Sequence, residues 1–217
     1  MSKIHPIYHI THINNLPTIL TDKVLRCDAE RVKRGYNTAN IAHEHLKQRR
    51  FTTAVPIGTK GFLADYAPFY FCNRSPMLCA ISKGGVTGSE NAQPNIIYFV
   101  SSVERVIKEG GRSWCFSDGH GIDKLTEFYD DPKELVNIDW GLIDAWDWRN
   151  TLADNDRVRK KQAEFLVYQS FPIAWVEKIA VYSEEQKKSV ESTLAQHSYK
   201  LPVVIEKKWY YSTRGRT

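Results

Sequence analysis

The sequence predicts an α+β domain, in which strands and helices follow one another in irregular order. Strand-like runs and capped helices occur without the regular alternation of a doubly wound sheet, and neither a Gly-x-Gly-x-x-Gly nor a Walker loop is present. The chain has 217 residues, of which 42% are hydrophobic and 12% aromatic. This length and composition suit one full-sized hydrophobic core. We therefore expect residues 1–217 to form a single α+β domain.

The first half of the chain is predicted to form strands and capped helices in close succession. Short apolar runs indicate strands at residues 6–11, 68–72 and 95–101. Polar caps or early prolines indicate four helices: Asn14 or Asn15 before 17–20, Thr38 before 39–50, Ser75 with Pro76 before residue 84, and Ser102 before 105–108. Residues 23–35 show only a weak, basic pattern, and we expect 52–64 to form a loop.

The second half contains a long polar segment between predicted strands at 113–116 and 164–168. Residues 117–161 are rich in Asp, Trp and turn residues, and helical patches are expected there only at 132–137 and 154–161. Long connections inside a compact domain are usually functional or disordered, and the aromatic residues between Tyr129 and Trp148 argue against disorder. We expect a packed recognition segment. The elements predicted after it are a strand at 178–182, a helix capped by Ser183 with Gln186 in the capping-box position, and a strand at 202–211.

Composition narrows the class of protein. The formal net charge of +5 and the pI near 8.9 are compatible with an anionic partner, and equally with an ordinary basic surface. No apolar stretch approaches the roughly 20 residues that a membrane-spanning helix needs, and the N-terminus lacks a secretory pattern. We therefore expect a cytoplasmic protein without a membrane partner. The 4 cysteines form no Cys-x-x-Cys pair, which argues against a disulfide scaffold and structural zinc.

Glu164 stands at the start of an apolar, β-prone run, where a buried acid is costly unless it has a task. If the run is a strand, Gln162 and Glu164 point to the same face. Such a polar pair suits a cleft. The alternative is a strand-end acid that forms a surface ion pair with Lys160 or Lys161.

The histidines lack the spacing of a metal site. His9 and His12 would point to opposite faces of a strand, and His43 and His45 to different sides of a helix. The helical zinc motif instead places two histidines four residues apart. His9 and Thr11 could present polar groups to a ligand from one face, or His9 could bond to the backbone.

Arg49 and Arg50 close the predicted helix 39–50, where the helix dipole favours cations. They are either solvated, or one of them turns into a cleft to bind a phosphate group with its planar guanidinium. His120 lies in the turn 117–121, which can present an imidazole to a substrate or hold an idle histidine. Taken singly, each of these residues is compatible with a functional role in a cleft and with an ordinary solvated or structural position.

Six motifs follow one another over most of the chain: 6–12 (PIYHITH), 48–50 (QRR), 55–56 (VP), 65–78 (DYAPFYFCNRSPML), 117–121 (SDGHG) and 161–167 (KQAEFLV). Together they resemble the DarT family of DNA ADP-ribosyltransferase toxins, and the long motif at 65–78 is the most specific. The resemblance implies a fold related to the poly(ADP-ribose) polymerases, with central mixed and antiparallel sheets flanked by helices. It also implies a partner, the macrodomain antitoxin DarG, which removes the modification.

The resemblance assigns site residues. Glu164 and Arg50 correspond to the catalytic glutamate and arginine, and His120 is a further candidate for accepting a proton. The segment 120–164 corresponds to the ADP-ribosylating turn-turn loop, and 36–50 to the NAD-binding element. The residues expected to contact NAD are His9, Ile10, Thr11, Thr18, Arg26, Arg50, Tyr70 and Met77. The residues expected to contact DNA are His120, Trp146, Trp148, Arg157, Arg159 and Lys160, and Trp140 is a further stacking candidate. For the three tryptophans core packing is at least an equal alternative.

The implied reaction transfers ADP-ribose from NAD, as co-substrate and without a metal, to a base in DNA, with thymine favoured. As a toxin, the enzyme would thereby block DNA replication. A carboxylate bonded to a ribose hydroxyl stabilises the oxocarbenium character that develops when nicotinamide leaves. A duplex hides the Watson–Crick edge of its bases, so single-stranded DNA is the expected acceptor. The alternatives are transfer to guanine, RNA or protein, or a non-catalytic nucleic-acid-binding module. We expect a monomer.

Overall fold

The computed structural model describes residues 4–36, 39–85, 92–111 and 113–212. Its main feature is an eight-stranded sheet with the strand order β10-β9-β4-β1-β3-β7-β5-β6. Only β9 and β10 run parallel, and the other neighbours in this sheet are antiparallel. A second sheet pairs β2 with β8. The strands are β1 (Pro6–His12), β2 (Val24–Arg26), β3 (Tyr66–Tyr70), β4 (Ile96–Ser102), β5 (Trp114–Ser117), β6 (Phe128–Tyr129), β7 (Glu164–Tyr168), β8 (Ser170–Pro172), β9 (Lys178–Val181) and β10 (Val203–Ile205).

Helices flank the sheets. The α-helices are α1 (Leu16–Asp22), α2 (Asp28–Lys33), α3 (Glu44–Thr52), α4 (Pro76–Ser82), α5 (Val103–Gly110), α6 (Trp140–Asp144), α7 (Arg157–Lys160) and α8 (Glu184–Gln196). Short 3-10 turns lie at Ile13–Asn15, Leu63–Asp65, Gln93–Asn95, Pro132–Asn137, Ile173–Trp175 and Lys207–Trp209. Two predicted caps are confirmed, because the side chains of Ser75 and Ser102 accept hydrogen bonds from backbone amides of α4 and α5. Ser183 is the N-cap residue of α8, as predicted, but the capping box is not formed: its side chain makes no capping hydrogen bond, and its hydroxyl donates to Gln186 Oε1 instead.

The centre of the large sheet is buried on both faces. Along β4, Ile97 and Phe99 belong to one hydrophobic cluster, while Tyr98 and Val100 belong to another. This alternation is what a strand with apolar layers on both sides requires. It explains why β4 reads as a nearly continuous apolar run in the sequence.

Strand order determines where the site lies. β3 lies between β1 and β7, and Tyr70 of β3 is paired with Glu164, the first residue of β7. Tyr8 of β1 is paired with the same Tyr70. The sheet therefore brings the N-terminal histidine motif beside the Gln-Ala-Glu motif, although they are more than a hundred residues apart in the chain.

The helix predicted over residues 39–50 starts later in the structure than the sequence predicts. In the structure α3 starts at Glu44, and residues 39–43 are not helical. Side chains satisfy the backbone there instead: Ala39 N donates to Asn15 and Ala42 N donates to Asn40. The predicted cap Thr38 lies outside the described residues.

Several short elements escaped prediction. The weak segment 23–35 forms β2 and α2, and the side chain of Cys27, an unusual cap, accepts the Glu30 amide. β6, β8 and α6 are too short to show a clear period. The strand predicted at 202–211 is shorter, because β10 ends at Ile205 and a 3-10 turn follows.

Candidate active site

A cleft of about 380 Å³ lies where β1, β3 and β7 meet the segment 39–50. A volume of this size falls in the range of small-molecule and cofactor sites. The predicted site residues on its walls are His9, Ile10, Thr11, Arg26, Arg50, Tyr70, Met77, His120, Trp148 and Glu164, together with Gln162 of the predicted polar pair. Gln162 is not in β7, which begins at Glu164, but in the turn after α7; it nevertheless reaches the same cleft.

Glu164 and Arg50 form a buried ion pair. Arg50 Nη1 donates to Glu164 Oε1 at 2.8 Å, and the two side chains are only 12% and 3% exposed. Arg50 Nη2 also donates to the Leu63 carbonyl at 3.4 Å. Burial opposes the charge of the guanidinium, but the carboxylate of Glu164 outweighs this, and the pKa of Arg50 is raised. Arg50 therefore stays cationic and cannot act as a base.

The surface ion pair considered for Glu164 does not form. Lys160 lies within 4 Å of Asp154 and Asp156 instead. Lys161 is 1% exposed, and its Nζ donates to three backbone carbonyls at the end of α6, those of Leu142, Ile143 and Ala145. Burial lowers the pKa of Lys161. Lys161 thus fastens α6 to the residues just before Glu164.

The turn with His120 closes over the carboxylate of Glu164. Gly121 N donates to Glu164 Oε2 at 3.1 Å, so both carboxylate oxygens have partners. His120 N donates to the Arg159 carbonyl at 3.0 Å, and Ser117 Oγ donates to the Gly119 carbonyl at 2.7 Å. Burial lowers the pKa of His120, and the nearby Arg50 lowers it further, while Glu164 opposes the shift. His120 is therefore a neutral imidazole near pH 7, the form that can accept a proton.

His9 and Thr11 of β1 also line the cleft. Only 2.7 Å separate His9 Nδ1 and the Pro68 carbonyl, so Nδ1 carries the proton and Nε2 is left as an acceptor. Burial lowers the pKa of His9 to about 4. The hydroxyl of Thr11 accepts a hydrogen bond from Asn15 at 3.0 Å and keeps its own proton to donate. Both alternatives for His9 hold at once, since it bonds to the backbone and also faces the cleft.

Asn15 has a larger role than the helix cap assigned to it. Its side chain makes no capping hydrogen bond. Instead Nδ2 donates to the Ala39 carbonyl at 3.0 Å and Oδ1 accepts from Ala39 N at 2.8 Å, in addition to the bond to Thr11. Asn15 thus pairs with the backbone of Ala39 at the edge of the cleft. The sequence shows only a polar residue before a proline, so local pattern could not reveal this contact.

Thr18 and Arg26 line a smaller cavity of about 30 Å³ that shares His9 and Thr11 with the main cleft. Arg26 lines both cavities. Its Nε donates to Asp22 at 2.8 Å, and the hydroxyl of Tyr36 donates to the same carboxylate. Thr18 is therefore placed beside the main cleft and not on its wall.

The three tryptophans of the long segment have different settings. Trp140 packs against the core and donates its indole N–H to the Leu135 carbonyl, which supports the core alternative. Trp148 lines the cleft and donates to the hydroxyl of Tyr211 at 3.2 Å. Trp146 is 70% exposed, and the guanidinium of Arg74 lies 3.9 Å from the centre of its ring.

The basic residues predicted to contact DNA are largely engaged within the protein. Each nitrogen of the Arg159 guanidinium donates to a carboxylate of Asp118 or Asp156. Arg157 donates to the backbone carbonyls of Asp147 and Arg149, and Lys160 lies near two carboxylates. DNA contact stays a prediction for all three. For Arg159 the geometry favours a structural role.

Within the described part of the chain, no group of three or more His, Cys, Asp or Glu side chains converges as a metal ion would need. No helix in those ranges is long and apolar enough to cross a membrane.

Comparison with known proteins identifies the family of the chain. The family model described as "ssDNA thymidine ADP-ribosyltransferase, DarT" matches residues 8–211. A DNA ADP-ribosyl transferase of Thermus sp. (strain 2.9) is 43% identical over 210 residues, which are 95% of this chain and 96% of the relative. A Thermosipho africanus DNA ADP-ribosyl transferase-DNA ADP-ribosyl glycohydrolase fusion protein is 22% identical over 96% of this chain and half of its own length.

Solved structures confirm the predicted fold. Thermus sp. 2.9 DarT in complex with ADP-ribosylated ssDNA superimposes with a TM-score of 0.88 at 40% identity, over 95% of this chain and 96% of that one. The same protein in complex with NAD⁺ gives a TM-score of 0.83 at 38% identity, over 95% of this chain and 98% of that one. The match over nearly the whole length, in sequence and in structure, shows that the chain belongs to the DarT family of DNA ADP-ribosyltransferases.

Proposed function

We propose that this protein transfers ADP-ribose from NAD to a thymine base in single-stranded DNA and releases nicotinamide. The observation that carries the proposal is the buried pair of Glu164 and Arg50 in a cleft that His9 and Thr11 also line. Relatives of the same fold bind NAD⁺ and ADP-ribosylated ssDNA, which supports both substrates.

The residues of the cleft suit NAD. Thr11 has a free hydroxyl proton and His9 a free acceptor, which can bond to the amide or hydroxyl groups of a nucleotide. Lys47, Arg31 and Arg26 bring positive charge to the same cleft, where a pyrophosphate needs it. We propose His9, Ile10, Thr11, Tyr70 and Met77 for the nicotinamide side, and Arg26 with the neighbouring Thr18 for the rest of NAD.

Glu164 is proposed to stabilise the transition state. The bond between the ribose carbon and the nicotinamide nitrogen breaks, its electron pair leaves with nicotinamide, and positive charge develops on the ribose. A carboxylate held by Arg50 and Gly121 is already oriented and can accept a hydrogen bond from a ribose hydroxyl as that charge grows. A preorganised acceptor of this kind needs no rearrangement during the reaction.

The acceptor base must lose a proton when its nitrogen bonds to the ribose carbon. Glu164 and the neutral imidazole of His120 both line the cleft, and we propose that one of them takes the proton from within hydrogen-bond reach. Arg50 cannot take it, because its pKa is raised. We propose that Arg50 binds a phosphate group of NAD and polarises the acceptor base, in addition to holding Glu164.

The test uses purified protein, NAD and short single-stranded oligonucleotides that contain thymine or guanine as the sole candidate base, with an RNA strand of the same sequence. Mass spectrometry should show one added ADP-ribose on the thymine-containing DNA and none after the substitution Glu164→Ala. An adduct on guanine or RNA alone would redirect the proposal to those acceptors. No adduct on any strand would leave the non-catalytic nucleic-acid-binding module.

We also propose a protein partner that reverses the modification of DNA. The Thermosipho africanus relative joins a transferase to a glycohydrolase in one chain, which supports a separate DarG-like macrodomain antitoxin for this one. We therefore propose a toxin that is kept in check by removal of ADP-ribose from DNA. We further propose that it acts as a monomer in the cytoplasm and that residues 1–217 form one catalytic domain. Expression with and without a DNA ADP-ribosyl glycohydrolase should show relief of toxicity.

A further inference from the structure

Exposed apolar side chains concentrate in the segment between β5 and β7. Of the 8 large hydrophobic side chains that are exposed among the described residues, four belong to this segment: Leu125, Val136, Trp146 and Leu152. Trp146 is the largest of them and lies two residues before Trp148, which lines the cleft. Two residues of extended chain span about 7 Å, so the exposed ring is close to the mouth of the site.

The ring of Trp146 is supported from beneath. The Arg74 guanidinium lies 3.9 Å from the centre of the Trp146 ring and 4.2 Å from that of the Tyr211 ring. Arg74 Nη1 donates to the carbonyls of Lys208 and Tyr210, which fixes the plane of the guanidinium. A planar cation between two aromatic rings is a favourable and rigid arrangement.

The same support holds Trp148. Its indole N–H donates to the hydroxyl of Tyr211, and that hydroxyl donates to the backbone carbonyl of Arg74. Gln93 bonds to both the backbone N–H and the carbonyl of Tyr211. Both tryptophans near the cleft are therefore held by one framework, although only one of them faces the cleft.

We propose that Trp146, supported by Arg74, is the stacking platform for a base that neighbours the acceptor base in the DNA strand. Every nucleobase has an apolar face that stacks on an aromatic ring, and the cationic guanidinium behind the ring adds positive potential toward an anionic strand. The inference rests on the proposed function, because it requires DNA in the cleft. It adds a second contact outside the catalytic residues, which would fix the position of the strand.

The test compares Trp146→Ala and Trp146→Phe with the wild-type protein on an oligonucleotide that has one thymine. A matched control is Leu152→Ala, which removes another exposed apolar side chain from the same segment. Loss of one base stack should lower kcat/KM for DNA about 5- to 150-fold in Trp146→Ala, through KM, and Trp146→Phe should keep most of the activity. Leu152→Ala should transfer ADP-ribose like the wild type.

A second set of oligonucleotides, each with one abasic nucleotide beside the thymine, separates stacking from a purely structural effect. When the missing base is the one that stacks on Trp146, the wild-type protein should transfer ADP-ribose more slowly than it does to the intact strand. Trp146→Ala should show no further loss on that strand, because it already lacks the ring on which the base stacks. The proposal would be overturned if Trp146→Ala were as active as the wild type. It would also be overturned if, at every abasic position, the loss from the missing base and the loss from the substitution simply multiplied. Absence of any adduct with the wild type would instead refute the proposed function.

Discussion

The backbone amide of Gly121 donates a hydrogen bond to Glu164 at 3.1 Å, and this approach is possible only because residue 121 lacks a side chain. A Cβ at this position would lie 2.7 Å from Glu164 Oε2 and 3.0 Å from the side chain of Leu63. Since real Cβ atoms do not approach so closely, either the turn or the carboxylate would have to move. Gly121 therefore positions the carboxylate of Glu164, the proposed catalytic group. The sequence motif around His120 does not indicate this role.

Gly121→Ala should lower kcat for ADP-ribose transfer by about 10²-fold, because a displacement of about 1 Å in a catalytic group has that effect. Gly141→Ala is the matched control, since its Cβ would meet Asp139 at an ordinary 3.6 Å. Steady-state kinetics with mass detection of the DNA product measures both. Wild-type activity in Gly121→Ala would show that the contact with Glu164 is dispensable.

Arg50→Lys tests whether the arginine acts through its charge. Lysine keeps the positive charge that holds Glu164 and polarises the acceptor, but it lacks the planar fork of donors with which a guanidinium binds a phosphate group. We expect Arg50→Lys to bind NAD more weakly but to transfer ADP-ribose at a near-normal rate when NAD is saturating. The control Gln48→Ala changes an exposed side chain on the same helix and should leave both NAD binding and transfer unchanged. Kinetics and equilibrium titration with NAD measure the two effects. Lost chemistry with intact binding of both substrates would contradict the electrostatic role.

Local signals in the sequence predicted the elements that depend on local contacts. The caps at Ser75 and Ser102 are examples, since each side chain bonds to an amide three residues away. The ion pair of Arg50 and Glu164 joins residues 114 positions apart, and no periodicity contains that information. Only the resemblance to a family, carried by long motifs, placed them together. The helix start near residue 39 was predicted wrongly for the same reason, namely a contact between residues that are distant in the sequence: the backbone amide of Ala39 is bonded to Asn15, 24 positions away.

Asn15→Ala should impair NAD binding more than chemistry. The change removes three hydrogen bonds that hold Ala39 and Thr11 at the edge of the cleft, each of which contributes about 0.5–1.5 kcal/mol. We expect KM for NAD to rise about tenfold while kcat changes little. Asn14→Ala is the control, because Asn14 is exposed and its hydrogen bond to His12 comes from its backbone amide, which alanine keeps. An equal loss in kcat and kcat/KM would instead indicate that Asn15 serves the chemical step.

Arg159→Gln distinguishes a structural role from contact with a DNA phosphate. The guanidinium joins Asp118 beside the His120 turn to Asp156 before α7, at 2.8 and 2.7 Å. We expect lower thermal stability with an unchanged slope of log affinity for DNA against log salt concentration. If Arg159 bound a phosphate, the slope would become less steep by about one unit. Fluorescence titrations over a series of salt concentrations measure it, and Arg157→Gln provides the comparison on the same helix.

His9 gives the folded protein a pH dependence of its own. An unfolded histidine has a pKa of 6.5, whereas burial lowers the pKa of folded His9 to about 4. Between these values the unfolded chain binds more protons than the folded one. The free energy of unfolding therefore decreases as the pH falls from about 6.5 to about 4 and does not change on this account above that window.

His9→Asn should remove this dependence, because an asparagine amide can still donate to the Pro68 carbonyl but does not titrate. One pKa unit corresponds to about 1.4 kcal/mol, so the wild type should lose about 3 kcal/mol more than the variant between pH 7 and pH 4. Urea unfolding at a series of pH values measures the difference. His12, His120 and the paired carboxylates are present in both proteins, so their contributions cancel in the difference curve. A difference that is flat from pH 7 to pH 4 would show that His9 is as easily protonated in the folded protein as in the unfolded chain.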